Sequence, residues 1–222
     1  MGINVYDVRT GIDSLKEEGV TRAILYPGAG VGGHCLTKDT YHLERGVQEL
    51  GKGTLDYPAG ERSLFILART NNDFMPRHMV RLTKEALSRL NKSPDGAKIA
   101  LLGWAFLANT DDARNTPSEP FRDILTDAGA EVVVHDPYVT QDPTVSIKTD
   151  LKEVIRGADA IAVFTAHNEY RTLNPIQIKS LTGLDHPAII DGRNVIEADA
   201  FINEGFVYKG IGRGDKNSHA IL

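Results

Sequence analysis

Apolar side chains at Ile3, Val5, Val8, Ile12 and Leu15 recur at a spacing that predicts a helix over residues 3–16, ended by Glu17-Glu18-Gly19. Residues 21–26 predict a short strand, and residues 35–50 return to helical spacing until Gly51-Lys52-Gly53. After a loop over 54–60, Leu64, Leu67, Phe74, Met79, Leu82, Ala86 and Leu90 predict a long helix over 61–90. Pro76 should break or kink it, because proline removes an intrahelical hydrogen bond.

The pattern changes at Asn91-Lys92-Ser93-Pro94-Asp95-Gly96, turn formers with no apolar member, and a domain border is expected there. Residues 1–93 form a helical segment and 94–222 a second domain. In the latter, strands are predicted at 98–102, 131–135, 160–164, 188–191 and 206–210. Helices are predicted between them at 117–128, 150–157 and 175–181. Strands alternating with helices imply right-handed crossovers and a doubly wound parallel α/β sheet over about 97–212, with ligands at the carboxyl ends of its strands. Residues 212–222 are mostly polar and expected to be mobile.

Composition narrows the function. A net charge of −5 argues against nucleic-acid binding, which needs a basic face, but leaves room for a small anion held by a few local donors. The apolar runs are too short to span a bilayer, and residues 1–3 open neither a signal nor a transit peptide. A single cysteine forbids an internal disulfide, which fits a reducing cytoplasm. The seven histidines show no metal-ligand spacing and are read as structural or surface residues, with His34 alone close to candidate chemistry.

The densest chemistry lies in Pro27-Gly28-Ala29-Gly30-Val31-Gly32-Gly33-His34-Cys35-Leu36-Thr37-Lys38-Asp39. Gly28, Gly30 and Gly33 satisfy G-x-G-x-x-G, yet no second strand with a ribose-binding acid follows, so the dinucleotide reading is weak. A lone cysteine is commonly an inert core residue. Polar flanks, a helix start and a nearby lysine favour a nucleophile here. Were residues 36 onward helical, Asp39 would share a face with Cys35, and Lys38 would stand beside it.

Further along, Gly103 to Pro117 carries a strand end, a polar loop and Arg114 near a helix start. Amides after Gly103 and the Arg114 guanidinium could hold phosphates, against the equal alternative of a capped helix with a surface arginine. Asp191-Gly192-Arg193-Asn194 presents a second arginine past a strand, and two such arginines on an acidic chain favour a bound anion.

In this order the stretches resemble the UDP-glucose/GDP-mannose dehydrogenase family of nucleotide-sugar 6-dehydrogenases. The glycine loop with Cys35, Lys38 and Asp39 is similar to its catalytic segment, and Ala68-Arg69-Thr70-Asn71-Asn72-Asp73-Phe74-Met75-Pro76 to its next helix. Residues 102–117 and Asp191-Gly192-Arg193 resemble its UDP-binding domain. His34 before the cysteine resembles the branch acting on UDP-N-acetylhexosamines such as UDP-N-acetylmannosamine.

The resemblance implies a four-electron oxidation of a sugar C6 alcohol to a carboxylate with two NAD⁺. Cys35 would form a thiohemiacetal and then a thioester, and Asp39 would help activate the hydrolytic water. Tyr26, Gly30, Gly32, Phe106 and Arg193 would line the UDP-sugar, while Lys38 and Arg114 would face NAD. Two departures stand out. The family's NAD domain precedes the cysteine segment and would lie upstream of this chain, and Leu107 occupies a position where the family usually has lysine. Two readings follow: the C-terminal portion of such an enzyme, inactive alone, or a non-catalytic nucleotide-sugar-binding paralogue. Apolar faces at 3–16 and 61–90 leave a homodimer open.

Overall fold

The computed structural model describes residues 3–14, 25–50 and 63–217. Helices α1 (Val5–Asp13), α2 (Asp39–Leu50) and α3 (Leu64–Arg89) come first. They are followed by β1 (Lys98–Leu102), α4 (Ser118–Asp127), β2 (Glu131–His135), β3 (Ile147–Lys148), α5 (Leu151–Ile155) and β4 (Ala160–Val163). The chain closes with α6 (Pro175–Thr182), β5 (Ala188–Asp191), α7 (Ala198–Asn203) and β6 (Val207–Gly210). Side chains fix several starts: Asn4 caps α1 at Tyr6 N (3.1 Å), Asp150 caps α5 at Lys152 N (2.9 Å) and Asn174 caps α6 at Gln177 N (3.1 Å).

All neighbouring strands are parallel, in the order β3-β2-β1-β4-β5-β6. The chain winds outward from β1 to β3, then returns to β4 on the other side of β1. The order therefore reverses between β1 and β4, and in such sheets ligands bind beyond the strand ends at that switch point. Along β1, Ile99 and Leu101 pack with α3 and α4 residues such as Met79, Leu87 and Phe121. Ala100 and Leu102 face Val154, Ile178 and Phe201 of α5, α6 and α7. Alternate residues of the apolar stretch of β1 thus reach opposite faces, as a sheet covered on both faces requires. The expected doubly wound domain is thus observed.

Several local expectations change. Helix α3 runs through Pro76 without interruption. Its second half, with Met79, Leu82, Ala86 and Leu87, is part of the core on one face of the sheet, and that packing outweighs one lost hydrogen bond. Regular helix begins at Asp39, not at Cys35: residues 35–38 make one tight turn in which the Asp39 amide donates to the Cys35 carbonyl (2.9 Å). The sequence pattern missed β3, two residues long, the six-residue α7 and a short 3₁₀ turn over Asn168–Thr172.

Residues up to 217 at the chain end are not loose: the buried Asn217 side chain accepts from Tyr208 N (3.0 Å) and donates to its carbonyl. Residues 218–222 lie outside the described set. Of the strand expected over 21–26, only Leu25 and Tyr26 are described, and neither is in a strand. The stops at 17–19 and 51–53 and the loop at 54–60 also lie outside. Among the described residues, no helix is long and apolar enough to cross a membrane.

At the carboxyl ends of β1, β2 and β4 the organising group is Asp136, wholly buried. One carboxylate oxygen accepts from Trp104 N (2.6 Å), Ala105 N (2.8 Å) and His167 Nε2 (3.2 Å). The other accepts from Tyr138 N (2.8 Å) and Val139 N (2.9 Å). The His167 tautomer follows from its partners: Asn109 N–H donates to Nδ1 (2.9 Å), so Nε2 carries the proton. The amides after Gly103, expected to cradle a phosphate, are therefore spent on an internal carboxylate.

Burial alone would raise the Asp136 pKa, but the His167 and backbone donors outweigh it and hold it down at about 2. Because the folded value lies below the unfolded one, the stabilisation is complete above about pH 4 and is lost as pH falls toward 2. Wild-type protein should lose about 2 kcal/mol from this group over that interval. Asp136→Asn should be less stable at neutral pH and lack that component of the acid transition. Urea unfolding at stepped pH measures both, and equal acid slopes for the two proteins would refute the assignment.

Candidate active site

The glycine loop lies across the switch point and is held from three sides. From α3, Asn72 clamps Val31 in both senses: Val31 N donates to Oδ1 (2.9 Å) and Nδ2 donates to the Val31 carbonyl (3.4 Å). Arg69, paired with Asp73 on the same helix, donates to the Leu36 carbonyl (3.2 Å). Pro76 supplies no amide for the Asn72 carbonyl four residues earlier, and that oxygen would lie 3.5 Å from a Cβ on Gly30. The proline thus shapes the helix face on which the loop rests.

From the loop after β1, the Asn115 side chain donates to the Gly33 carbonyl (3.0 Å) and Gly33 N donates to the Arg114 carbonyl (2.7 Å). Phe106 lies against the glycines so closely that a Cβ on Gly32 would meet Phe106 Cβ at 2.6 Å and the Asn115 carbonyl at 2.7 Å. Gly30 and Gly33 also take left-handed φ values of 120° and 87°. From the end of β5, Arg193 donates through Nε to the Phe164 carbonyl (2.7 Å) and through a terminal nitrogen to the Gly30 carbonyl (2.9 Å). The Asp191 carboxylate accepts from Arg193 N and Ile196 N, both at 2.9 Å, fixing the turn that aims Arg193. Burial pushes the Asp191 carboxyl up and the Arg193 guanidinium down.

Two groups of the expected site residues emerge. Tyr26, Phe106 and Arg193 line one cavity of about 350 Å³, with Leu107, Arg171 and Asn194 among its other walls. Gly30 and Gly32 do not line it but touch Arg193 and Phe106 from behind. Tyr26 is held by Tyr6, whose ring centroid is 6.5 Å away, and by the Arg9 guanidinium 3.7 Å from its ring centre.

The second group surrounds Cys35, which is exposed. Lys38 Nζ pairs with Asp39 (2.9 Å), raising the lysine pKa and lowering that of the carboxylate through their hydrogen bond. Arg114 forms a forked pair with Asp112, at 2.9 Å through Nε and 2.5 Å through a terminal nitrogen, and that contact raises its pKa. Both cations lie within electrostatic range of Cys35. Sequence reasoning missed Asn72 and Asn115 as loop anchors and Arg171 as a cavity wall. Asn72 and Asn115 each had a signal, their places in the stretches ending at Pro76 and at Pro117, whereas Arg171 had none.

The model described as "UDP-glucose/GDP-mannose dehydrogenase family, UDP binding domain" matches residues 100–198, and that of the same family's central domain matches residues 1–56. The UDP-N-acetyl-D-mannosamine dehydrogenase of Pyrococcus horikoshii is 38% identical over 216 residues, 96% of this chain and 45% of that protein. The UDP-glucose 6-dehydrogenase of Rhizobium meliloti is 33% identical over 220 residues, 97% of this chain and 47% of that protein. Among solved structures, an NDP-N-acetyl-D-galactosaminuronic acid dehydrogenase from Methanosarcina mazei Go1 superposes with a TM-score of 0.94 at 62% identity. It covers all of this chain, which spans 46% of it. The chain therefore spans about half the length of the relatives it matches.

Gly32→Ala should lift the loop from Phe106 and Asn115, because neither the ring stem nor the carbonyl can yield 0.5 Å cheaply. A loss of about 1–3 kcal/mol in urea unfolding is expected, as for other overpacked sites. Alkylation of Cys35 by iodoacetamide should change rate in the same variant. Wild-type stability together with wild-type alkylation would show that the loop is not seated on Phe106.

Proposed function

The chain belongs to the UDP-glucose/GDP-mannose dehydrogenase family, and we propose that it supplies the substrate cavity and the nucleophile of a UDP-sugar 6-dehydrogenase. The observation that carries this reading is the seating of the Cys35 loop on Phe106 and Arg193, two of the residues that line the cavity. Aromatic walls suit a planar base, and guanidinium groups suit phosphates. His34 and the names of the N-acetylhexosamine relatives favour a UDP-N-acetylhexosamine, with UDP-N-acetylmannosamine the first choice.

In this proposal Cys35 Sγ adds to the C6 aldehyde of the sugar, and oxidation of the adduct leaves a thioester. Water then releases the carboxylate and returns the thiol. Asp39, held ionised by Lys38, is placed one backbone turn from Cys35 and orients that water. Lys38 and Arg114 stand within electrostatic range of Cys35. This pairing of cysteine with cations favours an enzyme over a binding paralogue, which would need the cavity alone.

NAD⁺ supplies the hydride acceptor for such chemistry. The described residues do not form a complete cradle for it: the amides of Trp104 and Ala105 are held by Asp136, and Lys38 and Arg114 by Asp39 and Asp112. We place that site outside them, with Lys38 and Arg114 at its edge at most. The single cysteine supports a cytoplasmic setting.

Calorimetry on the 222-residue protein should detect UDP and UDP-N-acetylmannosamine and no NAD⁺, and the same protein supplied with both substrates should produce no NADH. Absence of UDP binding would sink the substrate reading. Steady NADH production would instead sink the placement of the NAD⁺ site.

A further inference from the structure

Two guanidinium groups line the cavity, and they differ in what remains for a ligand. Arg193 has two of its nitrogens bound to the carbonyls of Phe164 and Gly30, so its main work is holding the loop. Among the described residues, no ion pair or hydrogen bond engages the Arg171 guanidinium. Its neighbour Glu169 is turned to the Tyr138 hydroxyl (3.3 Å) rather than to Arg171. Leu107, 54% exposed, lines the same cavity and offers no charge.

Arg171 is also firmly rooted. The preceding Tyr170 is fully buried, and its hydroxyl donates to the His135 carbonyl (3.1 Å), fixing the 3₁₀ turn at the end of β4. Asn168 N donates to Asn109 Oδ1 (3.1 Å), tying that turn to the loop that carries Phe106 and Leu107. An uncommitted cation on a fixed turn, lining one cavity with Tyr26 and Phe106, suits an anionic group attached to a planar one.

We propose that Arg171 binds the diphosphate of the nucleotide sugar in this cavity. The inference deepens the reading of the chain as a UDP-sugar protein and rests on it. Arg171 then discriminates nucleoside diphosphate from nucleoside, while Arg193 acts chiefly as the structural tie between cavity and cysteine loop.

The test is calorimetry of the 222-residue protein with UDP, uridine and NAD⁺ as probes. Wild type should bind UDP more tightly than uridine. Arg171→Gln should weaken UDP roughly tenfold, as expected for one charge-assisted contact, with uridine unaffected. The loss should shrink as salt is raised, because the group is exposed. Arg171→Lys should keep part of the affinity, and Leu107→Lys added to Arg171→Gln should restore some of it. Unchanged UDP affinity in Arg171→Gln overturns the proposal while leaving the UDP-sugar reading intact. Equal weakening of UDP and uridine also overturns it, since that would mark a merely structural role. Wild type binding neither UDP nor uridine overturns both. NAD⁺ binding by wild type that weakens in Arg171→Gln with UDP unchanged likewise overturns the proposal, and the placement of the NAD⁺ site with it.

Discussion

A buried carboxylate that must find donors governs the ligand-facing end of this molecule. Asp136 leaves β2 where water cannot reach it, and an unpaired charge there would cost several kcal/mol. Five donors from three strand ends answer it. In doing so they bend the chain after Gly103 toward β2 and fix His167 against Asn109. The loop bearing Phe106 and Leu107 is consequently stretched between two strand ends rather than free above the sheet. Thr165 adds a hydroxyl to the Ala105 carbonyl from β4's side, so the same loop is tied at its backbone oxygen as well.

The sheet was readable because its strands are short, mostly apolar runs with turn residues nearby, and the pattern of apolar runs between turns needs nothing more. Residues 98–102, 131–135 and 188–191 needed no correction. What escaped was decided by distant contacts. β3 has two residues and exists through pairing with β2, and α7 is six residues held by Phe201 in the core. Pro76 predicts a break from local chemistry alone, but the following half-helix buries Met79, Leu82 and Leu87 against the sheet, which decides the matter. The candidate site was partly legible for the same reason. Residue types announced the cysteine, lysine and carboxylate, whereas the anchors Asn72 and Asn115 look like any surface amide until the fold brings Val31 and Gly33 to them.

The amides after Gly103 give the plainest case of a local rule overridden. A glycine turn following a strand at a switch point is where a phosphate commonly sits. Here the turn is present, with Gly103 at φ 100°, but a side chain from the next strand has taken the ligand's place. A buried aspartate is a permanent anion, so the turn is saturated whatever occupies the cavity. Recognition of an anion must then come from side chains reaching in from other elements.

The same logic gives the glycine loop a cause other than the one its pattern suggests. A Cβ on Gly28 would meet Arg193 at 2.5 Å, and one on Gly32 or Gly33 would meet Phe106 below 3 Å. These glycines admit protein side chains, not pyrophosphate, which is why the G-x-G-x-x-G match comes without the ribose-binding acid that normally accompanies it. Phe106 and Arg193 each have two faces, one on the cavity and one on the loop that ends at Cys35. Both residues line the cavity, and both also bear the cysteine loop. The wall of the cavity and the seat of the cysteine loop are therefore built from the same two side chains.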